Sequence, residues 1–102
     1  MIKIQIGSED RELDNADERW INQQINRRRA DGQTVCVMVT VQEGDLDMVL
    51  STPTCGASRG SGRPPRPGEK EVFDLWNKRG LNKADFTGGN LVAFLKQLKD
   101  LI

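Results

Sequence analysis

The chain has 102 residues, enough for one domain with a single hydrophobic core. Fifteen basic and fifteen acidic residues cancel, so the molecule has no net charge to attract nucleic acid or an anionic membrane. Histidine is absent, which excludes Ser-His and Cys-His catalytic pairs and imidazole metal ligands. We therefore predict a single domain over residues 1–102, with no metal and no other cofactor.

The N-terminus and the cysteines bear on the cellular compartment. Residues 1–10 lack the apolar run of a signal peptide, and no stretch approaches the roughly 20 apolar residues of a membrane span. Two cysteines without an export signal are typical of reduced thiols in a cytosol. We expect a cytoplasmic protein with no membrane partner and with both cysteines reduced.

The first third of the chain predicts a strand and a helix. Isoleucines alternate with polar residues over residues 2–6, which is the period of a pleated strand. An amphipathic helix follows, with Asp14 as its expected N-cap and Gly32 at the left-handed position beyond its end. Because basic residues in the last turn complement the helix dipole, we interpret Arg27–Arg29 as a helix end rather than a phosphate contact.

A valine-rich hairpin is the clearest part of the predicted sheet. Valines at alternate positions from 35 to 41 form one apolar face, residues 43–45 supply a turn, and the alternation resumes over residues 46–50. A bare hairpin is marginal in water, so helices should pack on the valine face. The opposite face carries Cys36, Met38, Thr40 and Val49. The pattern leaves open whether a helix covers that face or it is exposed.

The segment from residue 52 to residue 68 is rich in glycine, proline and arginine and has no apolar periodicity, which excludes a helix and an interior strand. A connection of this length within a small domain tends to be functional or disordered. It contains arginines and no acid, whereas residues 33–51 contain acids and no base. Local rather than global electrostatics should therefore govern recognition.

Two amphipathic helices are predicted to complete the chain. The first starts near Glu69 and ends at Gly80-Leu81, a pair that fits the glycine and the following apolar residue of a Schellman motif. The second follows Gly88-Gly89, with Asn90 as its expected cap. The aromatic residues are predicted to be core anchors: Trp20, Phe73, Trp76, Phe86 and Phe94. The order β-α-β-β-loop-α-α predicts an α+β fold with helices on a sheet of about three strands.

Cys55 is the most distinctive candidate for a ligand site. Neighbouring arginines would stabilise a thiolate, and the backbone amides that follow could form a nest for an anion. This predicts a site for a nucleotide or another phosphate-bearing small molecule on six residues: Cys55, Gly56, Ser58, Arg59, Arg63 and Arg66. The spacing of Cys55 and Arg59 is not that of the cysteine phosphatases, and no glycine-rich phosphate motif is complete, so we do not predict catalysis.

The same segment has other interpretations. Residues 63–67 read Arg-Pro-Pro-Arg-Pro, a short polyproline II ligand of the kind that aromatic-lined modules bind, and a simple tether would have a similar composition. Weak nucleic-acid binding would combine the segment's arginines with Arg27–Arg29. Because the chain is neutral, nucleic acid is the least favoured partner.

The function that we favour from the sequence is a small interaction or adaptor module without catalytic activity, which uses residues 52–68 and the nearby surface. No set of catalytic residues is apparent in the sequence. The acidic hairpin beside the basic segment suits docking to a protein partner or self-association of two copies. The alternatives are the anion site at Cys55 and weak nucleic-acid binding.

Overall fold

The computed structural model describes residues 1–55 and 67–101. Their elements are β1 (Ile2–Ile6), β2 (Glu9–Glu12), α1 (Glu18–Ala30), β3 (Val37–Glu43), β4 (Leu46–Ser51), a 3₁₀ turn (Pro53–Cys55), α2 (Pro67–Lys78) and α3 (Gly88–Leu101). The predicted α+β class is confirmed, but the sheet has four strands rather than about three. Each helix within these ranges is too short or too polar to cross a lipid bilayer.

The strand that the sequence prediction missed is β2, which lies at one edge of the sheet. The sheet order is β2-β1-β3-β4, and all neighbouring strands are antiparallel. The four residues of β2 are all charged and all exposed. Because β2 buries neither face, it lacks the apolar alternation by which strands are recognised in a sequence.

The addition of β2 also decides the direction of β3. A helix that joins two strands of one sheet often connects a parallel pair, but β1 and β3 are antiparallel, with Ile4 opposite Val39. β2 returns the chain to the start of β1, where the amide of Leu13 donates to the carbonyl oxygen of Ile2. Helix α1 then carries the chain to the other end of β1, so β3 runs back along it.

The hydrophobic core lies between the valine face of the sheet and the three helices, as predicted. Val35, Val37, Val39 and Val41 are at most 3% exposed, and the isoleucines of β1 share their face. The helices contribute to the same cluster, notably through Trp20, Ile21, Ile25, Val72, Trp76, Leu91, Phe94 and Leu98. Trp76 and Phe94 meet edge to face, with ring centroids 5.2 Å apart.

The C-terminal ends of α1 and α2 are as predicted, but the predicted N-caps of α1 and α3 are wrong. Gly80 has φ +73° and closes α2 in a Schellman motif, in which its amide donates to Asn77 and the amide of Leu81 donates to Trp76; Gly32 closes α1 in the same way. The N-cap of α1 is Asp17, and the N-cap of α3 is Thr87, whose Oγ1 accepts from the amide of Asn90. Several polar residues precede each helix, and only the packing of the first turn selects the one that caps.

One aromatic residue departs from its predicted place. Phe73 is 51% exposed, whereas Trp20, Trp76, Phe86 and Phe94 are buried. Helix α2 buries Glu69, Val72 and Trp76, at the spacing of three and four residues that defines one helical face. Phe73 lies on the flank of that face, and the prediction that it anchors the core is wrong.

Candidate functional site

Cys55, the central residue of the predicted anion site, is not a free thiol. It lies in the 3₁₀ turn after β4 and forms a disulfide with Cys36, the residue before β3, with their Cα atoms 4.6 Å apart. Both cysteines, which lie in the described part of the chain, are therefore oxidised. The expectation of two reduced cysteines is wrong in this structure, and Cys55 cannot act as a thiolate while the bond is intact.

A signal for this pairing was present in the hairpin. The β3–β4 register places Met38 opposite Ser51, so two further steps place Cys36 opposite Pro53. The 3₁₀ turn then brings Cys55 back toward β3. If the hairpin turn is placed at Gly44-Asp45, the register of β3 and β4 follows from the sequence. The turn after β4 does not follow from it, because that turn depends on tertiary contacts.

The beginning of the 52–68 segment is fixed to the sheet. Thr52 is fully buried, its amide donates to the carbonyl oxygen of Val37 over 3.0 Å, and its Oγ1 accepts from the amide of Val37 over 3.2 Å. The hydroxyl groups of Thr52 and Thr54 are 2.7 Å apart, and Thr54 Oγ1 also donates to the carbonyl oxygen of Val35. Residues 52–55 thus belong to the folded domain, and the tether interpretation does not apply to them.

The remaining residues of the predicted anion site lie outside the described residues: Gly56, Ser58, Arg59, Arg63 and Arg66. The Arg-Pro-Pro-Arg-Pro motif also begins there. Phosphate binding and polyproline recognition by this segment stay predictions.

Two of the three consecutive arginines in α1 make contacts within the domain. Arg28 donates to the carbonyl oxygen and to Oε1 of Gln24, the latter over 2.7 Å. Arg29 lies 4.9 Å from the ring centroid of Phe86 and donates to the Phe86 carbonyl oxygen over 2.5 Å. These contacts agree with the interpretation of Arg27–Arg29 as a helix end.

The outer side of β4, like that of β2, is an edge of the sheet without a neighbouring strand. The amide of Thr52 points to β3, because it donates to Val37. The backbone amide and carbonyl groups of successive residues point to alternate sides of a strand, so those of Val49 and Ser51 point away from β3. The amide of Asp47 also points away from β3, and it donates to Glu69 Oε2 over 3.1 Å. Within residues 1–55 and 67–101, no residue bonds to the outward amide or carbonyl of Val49 or Ser51.

We call residues 49–51 the open edge, because the outward backbone groups of Val49 and Ser51 are unpaired there. The open edge is limited on both sides. On one side, the amide of Asp47 already donates a hydrogen bond to the carboxylate of the buried Glu69. On the other side, Pro53 has no amide hydrogen to donate. The open edge therefore offers two donors and two acceptors within three residues.

Val49 in the open edge and Phe73 in α2 both have exposed apolar side chains. Val49 is 56% exposed and Phe73 is 51% exposed, the two largest values among the large hydrophobic residues that the structure describes. Phe73 follows Glu69 by four residues in α2, a spacing that puts Cβ atoms about 5–6 Å apart, and Glu69 contacts β4. Phe73 is thus one helical turn beyond the residue of α2 that accepts a hydrogen bond from β4.

The face of the sheet opposite the helices has a mixed surface. Met38 and Thr40 are half-buried and Gln5 is exposed, and Thr40 is paired with Val49 across the strands. Lys3 and Asp10 form an ion pair at 3.8 Å toward the β2 side. The question that the sequence left open is thus answered in part: no described helix covers this face, and its side chains are mostly polar.

Recesses in the described part of the molecule are shallow or small. A groove of about 200 Å³ between the start of α1 and α3 has an apolar floor, with acidic residues on one rim and Lys96 and Lys99 on the other. No group of three or more acidic or cysteine side chains within the described ranges is arranged to hold a metal ion. Comparison of the chain with protein-family models, curated proteins and solved structures returned no match.

Proposed function

We propose that this protein is an interaction module without catalytic activity, and that it contacts a protein partner through the open edge of β4 together with the adjoining 52–68 segment. The observation that carries the proposal is the open edge itself, where unpaired backbone groups lie beside the exposed side chain of Val49. An edge strand with unpaired amides and carbonyls is a template for strand addition by another chain.

The contrast between the two edges of the sheet supports this choice. At β2 all four side chains are charged, which discourages strand addition. At β4, by contrast, no residue of the open edge has a charged side chain. The partner should therefore approach from the β4 side, which is also the side where Cys55 leads into the basic segment.

The charge distribution of the sequence supports a partner with both signs of charge. Residues 43–47 carry three acids, and the arginines of the 52–68 segment follow β4 along the chain. A partner that extends along β4 would pass from an acidic neighbourhood toward a basic one, and complementary charges would set its orientation.

The test is a quantitative capture experiment with matched variants. The full chain, Val49→Lys and the control Gln5→Lys are immobilised and exposed to extract of the native cells. Retained proteins are measured by mass spectrometry. We expect the wild type and Gln5→Lys to retain the same partner and Val49→Lys to lose most of it, because a lysine at the edge hinders strand addition. Equal retention by all three contradicts the proposal, and so does the retention of no protein at all, with a second copy of this chain counted as a partner.

We also propose that the protein acts in the cytoplasm, where the Cys36–Cys55 pair would meet reducing conditions. This proposal predicts that rapid alkylation of intact cells finds both cysteines as thiols, whereas the purified protein in air carries the disulfide. A fully oxidised pair in cells would place the protein in an oxidising compartment instead.

A further inference from the structure

We propose that the partner of the open edge is a second copy of this chain, and that two β4 strands pair antiparallel about a two-fold axis at Leu50 to form a continuous eight-stranded sheet. This inference rests on the proposed interaction function and names its partner. A two-fold interface must be self-complementary, since each residue meets the symmetric set on the other copy.

The open edge meets that requirement in one register. With the axis at Leu50, Val49 of one copy faces Ser51 of the other, and Ser51 faces Val49. Each of these two pairs can exchange both backbone hydrogen bonds, because all four residues point their amide and carbonyl away from β3. Four intermolecular hydrogen bonds then satisfy every outward group of the open edge.

The residues on either side of the open edge, Asp47 and Pro53, favour the same register. With the axis at Leu50, Asp47 faces Pro53 of the other copy. The Asp47 amide already donates to Glu69 and Pro53 has no amide hydrogen, so neither position has a donor to leave unpaired. With the axis at Val49 instead, Asp47 would face Ser51, and the Ser51 carbonyl would lack a donor.

The side chains are compatible with this pairing. On the face opposite the helices, Val49 would lie beside Ser51 of the second copy and diagonal to its Val49, so the most exposed large apolar side chain would be partly covered. Leu50 points to the core and is 3% exposed, so the axis passes through a position whose side chain is already packed. No like charges face each other within the open edge.

The experiment uses the purified chain and a proline variant. At Val49 the amide points away from β3, so Val49→Pro removes one intermolecular donor per copy and leaves the β3–β4 ladder intact. Val49→Ala is the matched control, because it shortens the side chain but keeps the amide. Analytical ultracentrifugation over a concentration series measures the dimer, and circular dichroism checks the fold.

We expect a concentration-dependent dimer whose dissociation constant rises by about tenfold or more in Val49→Pro and by less in Val49→Ala, since tenfold corresponds to 1.4 kcal/mol, the scale of one or two hydrogen bonds. If Val49→Pro does not fold, Val49→Lys replaces it, because two lysines would meet across the axis. Hydrogen exchange then locates the interface. The amides of Val49 and Ser51 should gain protection as the dimer forms, whereas the amide of Asp47 should not change.

A wild-type protein that stays monomeric at millimolar concentration overturns the inference. So does a dimer in which the exchange of Val49 and Ser51 is unchanged. A monomer that still loses its cellular partner upon Val49→Lys refutes self-pairing alone and leaves the proposed function intact. If the purified protein dimerises as expected and no other protein is retained from extract, the second copy is the partner.

Discussion

Gly88 shows how one residue can set the distance between two helices. It is buried at the start of α3, against α1. A Cβ atom at this position would lie 2.1 Å from Asn22 Oδ1 and 3.6 Å from the Asn22 Cα atom. Its neighbour Gly89 is exposed, and a Cβ there would meet only Thr87 Oγ1, at 3.8 Å. The two adjacent glycines thus have different roles.

The matched substitutions Gly88→Ala and Gly89→Ala test this difference. We expect Gly88→Ala to lower the free energy of unfolding by about 1–2 kcal/mol, because Asn22 must move or the helices must separate. Gly89→Ala should leave stability unchanged or raise it by up to about 1 kcal/mol, because alanine favours the helix. Urea denaturation measures both. Equal effects of the two variants would show that the contact with Asn22 has no energetic weight.

At the scale of the element, the end of α1 is connected to the start of α3 through Arg29. The Arg29 guanidinium stacks on Phe86 and donates to its carbonyl oxygen, and Phe86 is buried two residues before α3. Arg27 is exposed, and no described contact involves its side chain. Arg29 therefore has a packing role, whereas the helix dipole alone accounts for the position of Arg27.

We expect Arg29→Ala to lower the free energy of unfolding by about 1 kcal/mol, since a cation–π contact and a charged hydrogen bond are lost at a partly solvated site. Arg27→Ala, which changes the net charge equally, should have an effect within about 0.5 kcal/mol. Chemical denaturation of the two variants at the same ionic strength measures the difference. Identical stabilities would mean that the Phe86 contact does not persist in solution.

At the scale of the whole molecule, the disulfide connects the start of β3 to the turn after β4. Its cysteines are separated by 19 positions in the sequence and enclose the hairpin. A covalent bond across such a loop stabilises the folded state mainly by restricting the unfolded chain. Thr52, with its hydrogen bonds to Val37, already holds the same region. The native turn should therefore survive reduction at a lower overall stability.

Reduction of the purified protein should lower its free energy of unfolding by about 3 kcal/mol, the value expected for a loop of this length. The melting temperature should fall by about 10 °C or more. A double variant, Cys36→Ser with Cys55→Ser, should match the reduced wild type and show no response to reductant. Thermal denaturation with and without dithiothreitol measures the shift, and a thiol assay that finds two free cysteines before reduction would contradict the bond.

The sequence by itself determined those features that depend on residues close together in the chain. The alternation of valines identified the buried face of β3, and Gly32 and Gly80 marked the ends of α1 and α2, because period and left-handed backbone are local properties. The α+β class followed from the order of these patterns.

Only the tertiary structure decided the features that depend on register and distant packing. The charged strand β2 is held by its pairing with β1, the Cys36–Cys55 bond requires the turn after β4, and Phe73 is exposed because the helix buries a neighbouring face. The open edge has the same origin. Whether the amide of Val49 points to β3 or to solvent depends on a register that a shift of one residue would reverse, and neither composition nor hydrophobic period specifies which side of a strand remains unpaired.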